Sequence, residues 1–515
     1  MEQRKPFLLE RCLGWLWDQV RDNKAPLTAS LILGWLAYGF TFANKLINHD
    51  EVYNLFSSGA TFSSGRWGLE IMERIFPQVS MPWVYGILSV TMAAVAACMV
   101  CRMFHVRSRL LQCLLAGSIT VFPAMTSTLT YLFTSAPYLA AFLLSVGAVY
   151  LLKKPTVWSS LFALGFLVLS LSCYQAYVAV AAGLLVVVLI QELLEGAEVK
   201  KVLKKGVFYL VFLVLSLIFY MIATQLVNRL TGHSFSSYAG ENMDLSLGDI
   251  PGKLAAAYHS FLLFFTQGYQ GIMTTALSRW MHALVLGAMA VFLLLWSREN
   301  RDWGRMALVA ALTALLPLAM NCMYLFSAED AVHTLVLYGF VAFYALAVVL
   351  AEVGLPLLPA SALGRILGRL ALEGTALAMA LILSVNVYTA NAASLALHLR
   401  YENAYAFYTA LAADIQLQPG FDENTKLAIC GQYQSPAFYY DHFREVNNLQ
   451  GTVGFFPDNY SKNRFVEYYI GFPIPFATDE ETQAIKSTAA YAAMPVYPYY
   501  GSMQMIGDVL VVKLS

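Results

Sequence analysis

Long apolar runs recur along most of the chain, separated by short polar segments. Each is close to the roughly 20 residues that a helix needs to cross the hydrocarbon core of a bilayer. We therefore predict an α-helical polytopic membrane protein with about eleven transmembrane helices. The predicted spans lie near residues 27–47, 83–104, 109–126, 131–152, 156–173, 176–194, 206–226, 280–297, 304–322, 333–353 and 371–391.

The first 25 residues follow a different pattern, in which apolar and charged residues alternate. No small-residue cleavage site follows the apolar positions, so the segment does not read as a cleaved signal peptide. We predict that residues 1–25 form a helix in the cytoplasmic membrane interface, before a transmembrane domain at 26–392.

Residues 393–515 form a third region, in which short helical and β-rich stretches alternate with prolines and glycines. Helical patterns cover 393–415 and 478–490, and β-rich patterns cover 426–430 and 507–514. This alternation predicts a small C-terminal α/β domain. Its many tyrosines suit contact with sugars or with the lipid interface, but they equally suit an ordinary core.

Composition agrees with a membrane protein, because 59% of the residues are hydrophobic and only 12% are charged. A soluble domain carries about 25% charged residues, so this chain cannot cover a water-facing surface. The 32 basic and 32 acidic residues cancel, so nothing suggests nucleic acid as a partner.

Basic residues cluster in alternate loops, which predicts an orientation in the plasma (inner) membrane. With these clusters in the cytoplasm, the N-terminus is cytoplasmic and the C-terminal domain is extracytoplasmic. Counting residues 255–276 as a span would place the basic cluster at 298–305 outside. We therefore predict that 255–276 is a re-entrant or surface-lying helix on the outer side.

The loop predicted at residues 48–81 is one of the polar loops on the outer side. His49, Asp50 and Glu51 emerge at the membrane face, where partial desolvation raises the pKa of a carboxyl group and its basicity. Such a group can take a proton from an incoming hydroxyl, so Asp50 and Glu51 are candidate catalytic residues, with His49 beside them as a substrate contact. The alternative is that these carboxylates only cap or solvate the loop.

Arg66 and Trp67 follow a flexible stretch of serines and glycines in the same loop. An arginine near anionic headgroups can donate two parallel hydrogen bonds to phosphate oxygens. We therefore regard Arg66 and Trp67 as candidate substrate-binding residues. The residues that follow, up to about Phe76, have the pattern of a short amphipathic helix in the interface.

Tyr174 and Gln175 lie at the turn between the fifth and sixth predicted spans. Polar groups at this depth need partners or water, so they either bind a ligand or join helices by hydrogen bonds.

Glu329, Asp330 and His333 lie at the outer mouth of the ninth and tenth spans, and they could join Asp50 and Glu51 around one cavity. Such an oxygen-rich set could hold a divalent cation, magnesium or manganese, although no fixed ligand spacing identifies one.

Several of these motifs, in this order, resemble the type II bacterial glucosyltransferases that decorate O-antigen and related surface glycans. The motifs are His49-Asp50-Glu51, SGRWG at 64–68, Tyr-Gln-Ala at 174–176, YENAYAFYTALAADIQ at 401–416, KLAICG at 426–431 and MPVYPYYGSMQMIGDVLVVKL at 494–514.

The resemblance implies a GT-C-like fold and a membrane glycosyltransferase. It would move a sugar, typically glucose, from a polyprenyl-phosphate donor to a cell-surface glycan acceptor on the outer face. It also implies that Asp50 is the general base, Glu51 its partner or a metal contact, and Arg66 a phosphate clamp. Tyr174 and Gln175 match a family motif without an assigned role, and the identity of the acceptor does not carry over.

The main alternative is a polytopic transporter or a flippase for lipid-linked sugars. Against it, the sequence shows no pair of similar halves, and the acids gather at one mouth rather than at the midplane. A different sugar, as in a mannosyl- or arabinosyltransferase or a glycan polymerase on the same scaffold, remains open.

Overall fold

The computed structural model describes residues 7–57, 59, 62–76, 79–233, 249–266, 275–300, 302–327, 332–354, 362–433, 442–443, 446, 449–451 and 461–515. Within these residues, ten helices or helical pairs are long and apolar enough to cross a membrane, and the apolar helix Val157–Cys173 is slightly shorter. A three-stranded sheet lies near the C-terminus. The predicted fold class, a polytopic α-helical membrane protein with a small C-terminal α/β region, is confirmed.

The helices of the described residues follow one another in a simple order. They are α1 (Leu8–Asp22), α2 (Lys24–Ala43), α3 (His49–Tyr53), α4 (Gly68–Glu73), α5 (Pro82–Met103), α6 (Arg109–Thr120), α7 (Pro123–Thr130), α8 (Leu132–Leu152), α9 (Val157–Cys173), α10 (Val178–Leu194), α11 (Val199–Thr231), α12 (Ile250–Thr266), α13 (Ala276–Glu299), α14 (Trp303–Met320), α15 (Val341–Gly354), α16 (Ala362–Gln416), α17 (Lys462–Tyr468), α18 (Asp479–Lys486) and α19 (Ala489–Ala493).

Three helical segments are interrupted by a proline or a 3-10 turn, of which the sequence indicated only the turn at Tyr174 and Gln175. Pro123 begins α7 and separates it from α6, because proline fits the first turn of a helix but not its interior. Tyr174 is extended at the end of α9, and a 3-10 turn at Gln175–Tyr177 leads into α10. A second 3-10 segment, Thr334–Phe340, leads into α15. The break at Tyr174 contributes to the candidate site, and so does His333, which immediately precedes the Thr334–Phe340 segment.

Helix α12 covers most of the segment that we predicted to be re-entrant or surface-lying. It has 17 residues and is not among the span-capable helices of the described part of the chain. The Asn321 side chain donates a hydrogen bond of 2.9 Å to the Ala257 carbonyl oxygen, so α12 is anchored at the end of α14. That this segment re-enters the membrane or lies on its outer surface stays a prediction.

Helix α16 is longer than predicted, with 55 residues. The sequence from Thr375 to Gln416 contains neither glycine nor proline, so nothing interrupts the helix beyond the last apolar run. The predicted boundary between residues 26–392 and 393–515 therefore falls inside one continuous helix, and the two regions share it.

The sheet has the strand order β1-β3-β2, with β1 (Lys426–Cys430), β2 (Met503–Ile506) and β3 (Val509–Lys513). Strands β1 and β3 are parallel, and β2 pairs antiparallel with β3 across a two-residue turn. Both predicted β-rich stretches contain strands of this sheet. The helix predicted at 478–490 is instead the pair α18 and α19, because Thr488 caps a new helix.

A second hydrophobic core joins the C-terminal region to the first outer loop. Ile47 and Val52 of that loop are buried among residues of α16, α17 and the sheet, including Tyr408, Phe465 and Leu510. The C-terminal region therefore packs directly on the segment that carries Asp50 and Glu51.

The opposite end of the bundle collects the basic loops. The Lys205 ammonium donates to the Lys153 carbonyl oxygen at 2.8 Å, and the Lys153 ammonium donates to Gln191 at 3.3 Å. A cavity of about 410 Å³ at this end is lined by residues of several elements, among them Arg107 and Arg305. The chain therefore separates a basic end from the end that holds the candidate site.

Candidate active site

The short helix α3 presents His49, Asp50 and Glu51 at one end of the bundle. The Asn48 side chain caps it by accepting a hydrogen bond of 2.8 Å from the Glu51 N–H. The Asn48 amide also donates to the Thr130 carbonyl oxygen at 2.8 Å. Asparagine is a favoured N-cap, and here it also ties α3 to the end of α7.

Glu51 is completely buried, and both of its carboxylate oxygens have partners. Its Oε1 atom forms an ion pair with Lys45 and accepts a hydrogen bond from the Ser80 hydroxyl. Its Oε2 atom accepts a hydrogen bond of 2.9 Å from the Phe133 N–H, in the first turn of α8, where the helix dipole favours an anion. These contacts join the outer loop to the start of α5 and α8, so they favour an anchoring role for Glu51 over contact with a substrate.

Asp50 differs from this buried anchor, because 37% of its side chain is exposed. Its Oδ1 atom lies 3.6 Å from the His49 Nε2 atom. One acid of the predicted pair is therefore fixed by protein contacts, and the other is partly exposed.

The SGRWG loop is held by Gln175, more than a hundred residues away in sequence. The Gln175 amide donates hydrogen bonds to the Ser64 carbonyl oxygen at 3.0 Å and to the Tyr220 hydroxyl at 2.8 Å. The Tyr220 hydroxyl in turn donates to the Gly65 carbonyl oxygen at 3.1 Å. Gly65 has a φ of 72°, a conformation that favours glycine. The two motifs that sequence analysis identified separately thus form one unit.

Trp67 and Gly68 fix the far side of this loop. The Trp67 indole N–H donates to the Thr224 hydroxyl of α11 at 3.0 Å. Gly68 packs against the end of α9 so closely that an added Cβ atom would lie 2.1 Å from the Ser172 Oγ atom and 2.9 Å from the Ser172 carbonyl carbon. Trp67 therefore positions the loop, and only glycine fits at residue 68.

Arg66 lies beside two stacked tyrosines as a result. Its Nη1 atom donates a hydrogen bond of 3.0 Å to the Tyr138 hydroxyl, and its guanidinium carbon lies 5.5 Å from the centre of the Tyr174 ring. The Tyr138 and Tyr174 rings stack with centres 4.4 Å apart. Stacking and a phenolic hydrogen bond orient the planar guanidinium without neutralising its charge.

His333 lies in extended backbone just before the span that begins at Thr334. Burial, and then the nearby positive charge of Arg66, lower the pKa of His333 to about 4. Among the described residues, its Nδ1 atom has no hydrogen-bond partner. The structure thus brings His333 to the same site as Arg66, as a neutral imidazole.

Glu329 and Asp330, the other acids predicted at this mouth, lie outside the described residues. Within the part of the chain that the structure describes, no three His, Cys, Asp or Glu side chains come together as a metal site. A divalent cation held partly by Glu329 and Asp330 therefore stays a prediction.

The C-terminal region reaches this site through residues 449–451. The Gln450 amide donates to the Tyr131 hydroxyl at 3.2 Å, and the Thr130 hydroxyl donates to the Gln450 carbonyl oxygen at 3.4 Å. The contact lies at the α7–α8 break, which also receives Asn48 and Glu51. The C-terminal region and the acidic loop are thus anchored at the same place.

Several residues that complete the site were not indicated by the sequence. Lys45, Ser80, Tyr138, Thr224 and Tyr220 lie in or beside apolar runs, where they resemble ordinary packing residues. A polar side chain at membrane depth is a signal that could have identified Tyr138 and Tyr220, but both tyrosines also suit an apolar core.

This arrangement combines a partly exposed carboxylate with an oriented cation. A carboxylate of this kind can accept a proton from a hydroxyl group. A fixed guanidinium can stabilise negative charge that develops on a departing oxygen. Together they suit a group transfer in which a hydroxyl attacks and an anionic group leaves.

Comparison with known proteins also points to a group transfer. The model of the family described as glucosyl transferase GtrII matches residues 39–347, more than half of the chain. The match includes α3, the SGRWG loop, Tyr174, Gln175 and His333. No curated protein and no solved structure matches the chain.

Proposed function

This chain belongs to the glucosyl transferase GtrII family, and we propose that it transfers glucose from a polyprenyl-phosphate donor to a cell-surface glycan, O-antigen or a similar polymer. The family makes it a membrane glucosyltransferase; the donor and the acceptor are our inference. The observation that carries the proposal is that α8 holds both motifs, because Arg66 donates a hydrogen bond to its Tyr138 hydroxyl and Glu51, the neighbour of Asp50, accepts one from its Phe133 N–H. An acid and a phosphate-binding cation therefore share one site at the end of the bundle that carries the C-terminal region.

In the proposed reaction, Asp50 accepts the proton of the acceptor hydroxyl. The hydroxyl oxygen forms a bond to the anomeric carbon, and the bond from that carbon to the phosphate oxygen breaks through an oxocarbenium-like transition state. The electron pair leaves with the phosphate on its lipid carrier, where Arg66 stabilises its charge. A single displacement of this kind inverts the anomeric configuration.

Other side chains position these two groups. Gln175, Tyr220 and Trp67 hold the loop that carries Arg66. Glu51 anchors α3 and so sets the direction of Asp50. A neutral His333 can donate or accept one hydrogen bond with the sugar without competing with Arg66 for the phosphate. A divalent cation could assist Arg66 at the phosphate if Glu329 and Asp330 supply oxygens.

A GT-C-like enzyme of this kind would lie in the plasma membrane with the candidate site on the outer face. The separation of the basic loops from the candidate site supports this orientation, because basic loops favour the cytoplasm. The N-terminus would then be cytoplasmic and the C-terminal region extracytoplasmic. The exposed apolar side chains of α1 suit a helix in the cytoplasmic interface.

The test supplies polyprenyl-phosphate-linked radiolabelled glucose to the purified protein in lipid nanodiscs, with polysaccharide from the surface of the producing organism. Transfer of label to the polysaccharide supports the proposal. Movement of the labelled lipid between leaflets of a vesicle without formation of a glycosidic bond would instead support the flippase. A preference for another polyprenyl-phosphate sugar would correct the donor and leave the reaction in place.

A further inference from the structure

Three exposed aromatic side chains meet where the first outer loop joins the C-terminal region. Tyr53 is the last residue of α3, Phe56 follows it in the loop, and Tyr468 ends α17. Their exposed fractions are 47%, 58% and 37%. The Phe56 and Tyr468 rings touch edge to face, with centres 5.4 Å apart. An aromatic surface is thus built from two distant parts of the sequence.

Arg464 holds this surface together. Its guanidinium lies 6.0 Å from the centre of the Tyr53 ring and 5.5 Å from that of Tyr468. It donates hydrogen bonds to the Glu467 carboxylate at 2.7 Å and to the Tyr468 hydroxyl at 3.2 Å. The side chains are therefore oriented before any ligand binds, which lowers the entropy lost on binding.

Buried apolar side chains hold the aromatic surface in place. Ile47 and Val52, on either side of Asp50, are buried against Phe465 and Val466 of α17. These four apolar side chains fix α3 relative to α17, so the aromatic surface keeps a constant position beside Asp50.

Asp50 and Tyr53 lie on the same short helix, α3. Tyr53 follows Asp50 by three residues in α3, so the two side chains are neighbours on one face of the helix. Next to Asp50, Glu51 accepts a hydrogen bond from the Phe133 N–H at the start of α8, the helix whose Tyr138 hydroxyl is bonded to Arg66. A base in this position can meet a hydroxyl that arrives from the aromatic side.

We propose that Tyr53, Phe56, Arg464 and Tyr468 form the binding surface for the glycan acceptor. The proposal rests on the function proposed above and adds the place where the acceptor binds. Aromatic faces cover the C–H faces of a sugar ring, and the tyrosine hydroxyls offer hydrogen bonds to its hydroxyl groups. The Arg464–Glu467 pair adds charged hydrogen-bonding groups at the edge, as in sites that fix the orientation of a ligand by a few polar contacts.

A lipid surface is the other environment that exposed aromatics suit, but it fits this cluster less well. Tyrosines of the membrane interface lie at headgroup level, next to the lipid-facing apolar surface of the spans. The exposed face of α11, for example, is mainly aliphatic, with Leu210, Val211 and Ile222. The cluster instead contains an arginine and a glutamate beside a catalytic acid, so we assign it to the acceptor.

The test compares the wild type with the double variant Phe56→Ala/Tyr468→Ala in nanodiscs. The donor is polyprenyl-phosphate-linked radiolabelled glucose, and the acceptor probe is a set of oligosaccharides cut from the surface polysaccharide of the producing organism. Loss of two well-placed aromatic contacts should raise the KM for the oligosaccharide by roughly tenfold or more. The kcat, the KM for the donor and the slow release of glucose to water without acceptor should change little.

Two further variants control for folding and for general loss of aromatic surface. Tyr499→Ala/Tyr500→Ala removes two exposed tyrosines before β2 and should keep the wild-type KM values. Tyr468→Trp keeps an aromatic face and should retain most of the acceptor affinity. An unchanged acceptor KM in Phe56→Ala/Tyr468→Ala overturns the proposal, and so does a rise in the donor KM alone, which would assign the cluster to lipid. Wild-type protein that transfers no glucose would overturn the proposed function itself, before any variant is compared.

Discussion

The side-chain amide of Gln175 donates a hydrogen bond to the backbone carbonyl oxygen of Ser64, 111 residues earlier in the chain. This contact joins the break between α9 and α10 to the loop that carries Arg66. The position of the arginine is therefore determined by a polar residue that lies at membrane depth on another element.

Replacement of Gln175 by methionine keeps the length of the side chain but removes both N–H donors. Two hydrogen bonds are lost near the membrane, so we expect the free energy of unfolding to fall by about 1–2 kcal/mol. Displacement of Arg66 should lower kcat by roughly 10- to 100-fold. Gln504→Met, at an exposed glutamine in β2, is the matched control and should keep wild-type kcat. A normal kcat in Gln175→Met would show that the loop holds its position without this contact.

Gly68→Ala tests the fit of the same loop against α9. The added Cβ atom would overlap the Ser172 Oγ atom and backbone, so we expect a loss of about 1–3 kcal/mol in stability together with reduced transfer. In Gly287→Ala, within α13, the new methyl group meets nothing within 4 Å. That control should be neutral or slightly stabilising, because alanine favours a helix by about 0.5–1 kcal/mol over glycine. Equal thermal stability of the two variants in detergent would contradict the close packing of residue 68.

Glu51→Gln should act mainly on stability. It leaves Lys45 without its anionic partner. Breaking a buried ion pair costs about 3–5 kcal/mol in the free energy of unfolding. We expect the lower end of this range, because Lys45 is partly exposed. The double variant Lys45→Gln/Glu51→Gln should be less destabilised than the sum of the single changes by about 1 kcal/mol or more. The check is chemical denaturation in detergent. Additive effects would show that the two charges do not interact.

The pH dependence of stability should report on His333. Its pKa is lowered to about 4 by burial and then by Arg66, against an ordinary value of about 6.5. Between these values the unfolded chain binds more protons, so the stability contributed by the neutral imidazole is present above pH 6.5 and is lost as the pH falls towards 4. We expect the loss to be roughly 1–3 kcal/mol over this window.

His333→Gln should therefore remove this part of the acid sensitivity. Arg66→Gln should reduce it, because without the cation the folded pKa moves back towards 6.5. Thermal unfolding from pH 7 to pH 4.5 measures both effects. The same acid sensitivity in His333→Gln and in the wild type would assign it to other groups.

The sequence predicted the broad architecture because an apolar run of this length satisfies its backbone hydrogen bonds inside a bilayer by forming a helix. It also identified the 426–430 strand and the two motifs that the structure joins, since polar residues among apolar ones are conspicuous. It did not reveal that Gln175 contacts Ser64, because a contact between distant segments leaves no local pattern. Nor could it separate the roles of Asp50 and Glu51, which depend on the direction in which α3 presents each side chain.

The most direct measurement compares glucose transfer by Asp50→Asn and Glu51→Gln with the wild type, per molecule of folded protein. Asp50→Asn keeps the size of the side chain but removes the base, so transfer should fall by about 10²- to 10⁴-fold while stability stays close to that of the wild type. Folded Glu51→Gln should keep transfer within about tenfold, since this side chain acts through the position of α3. Near-normal transfer by Asp50→Asn would contradict the account.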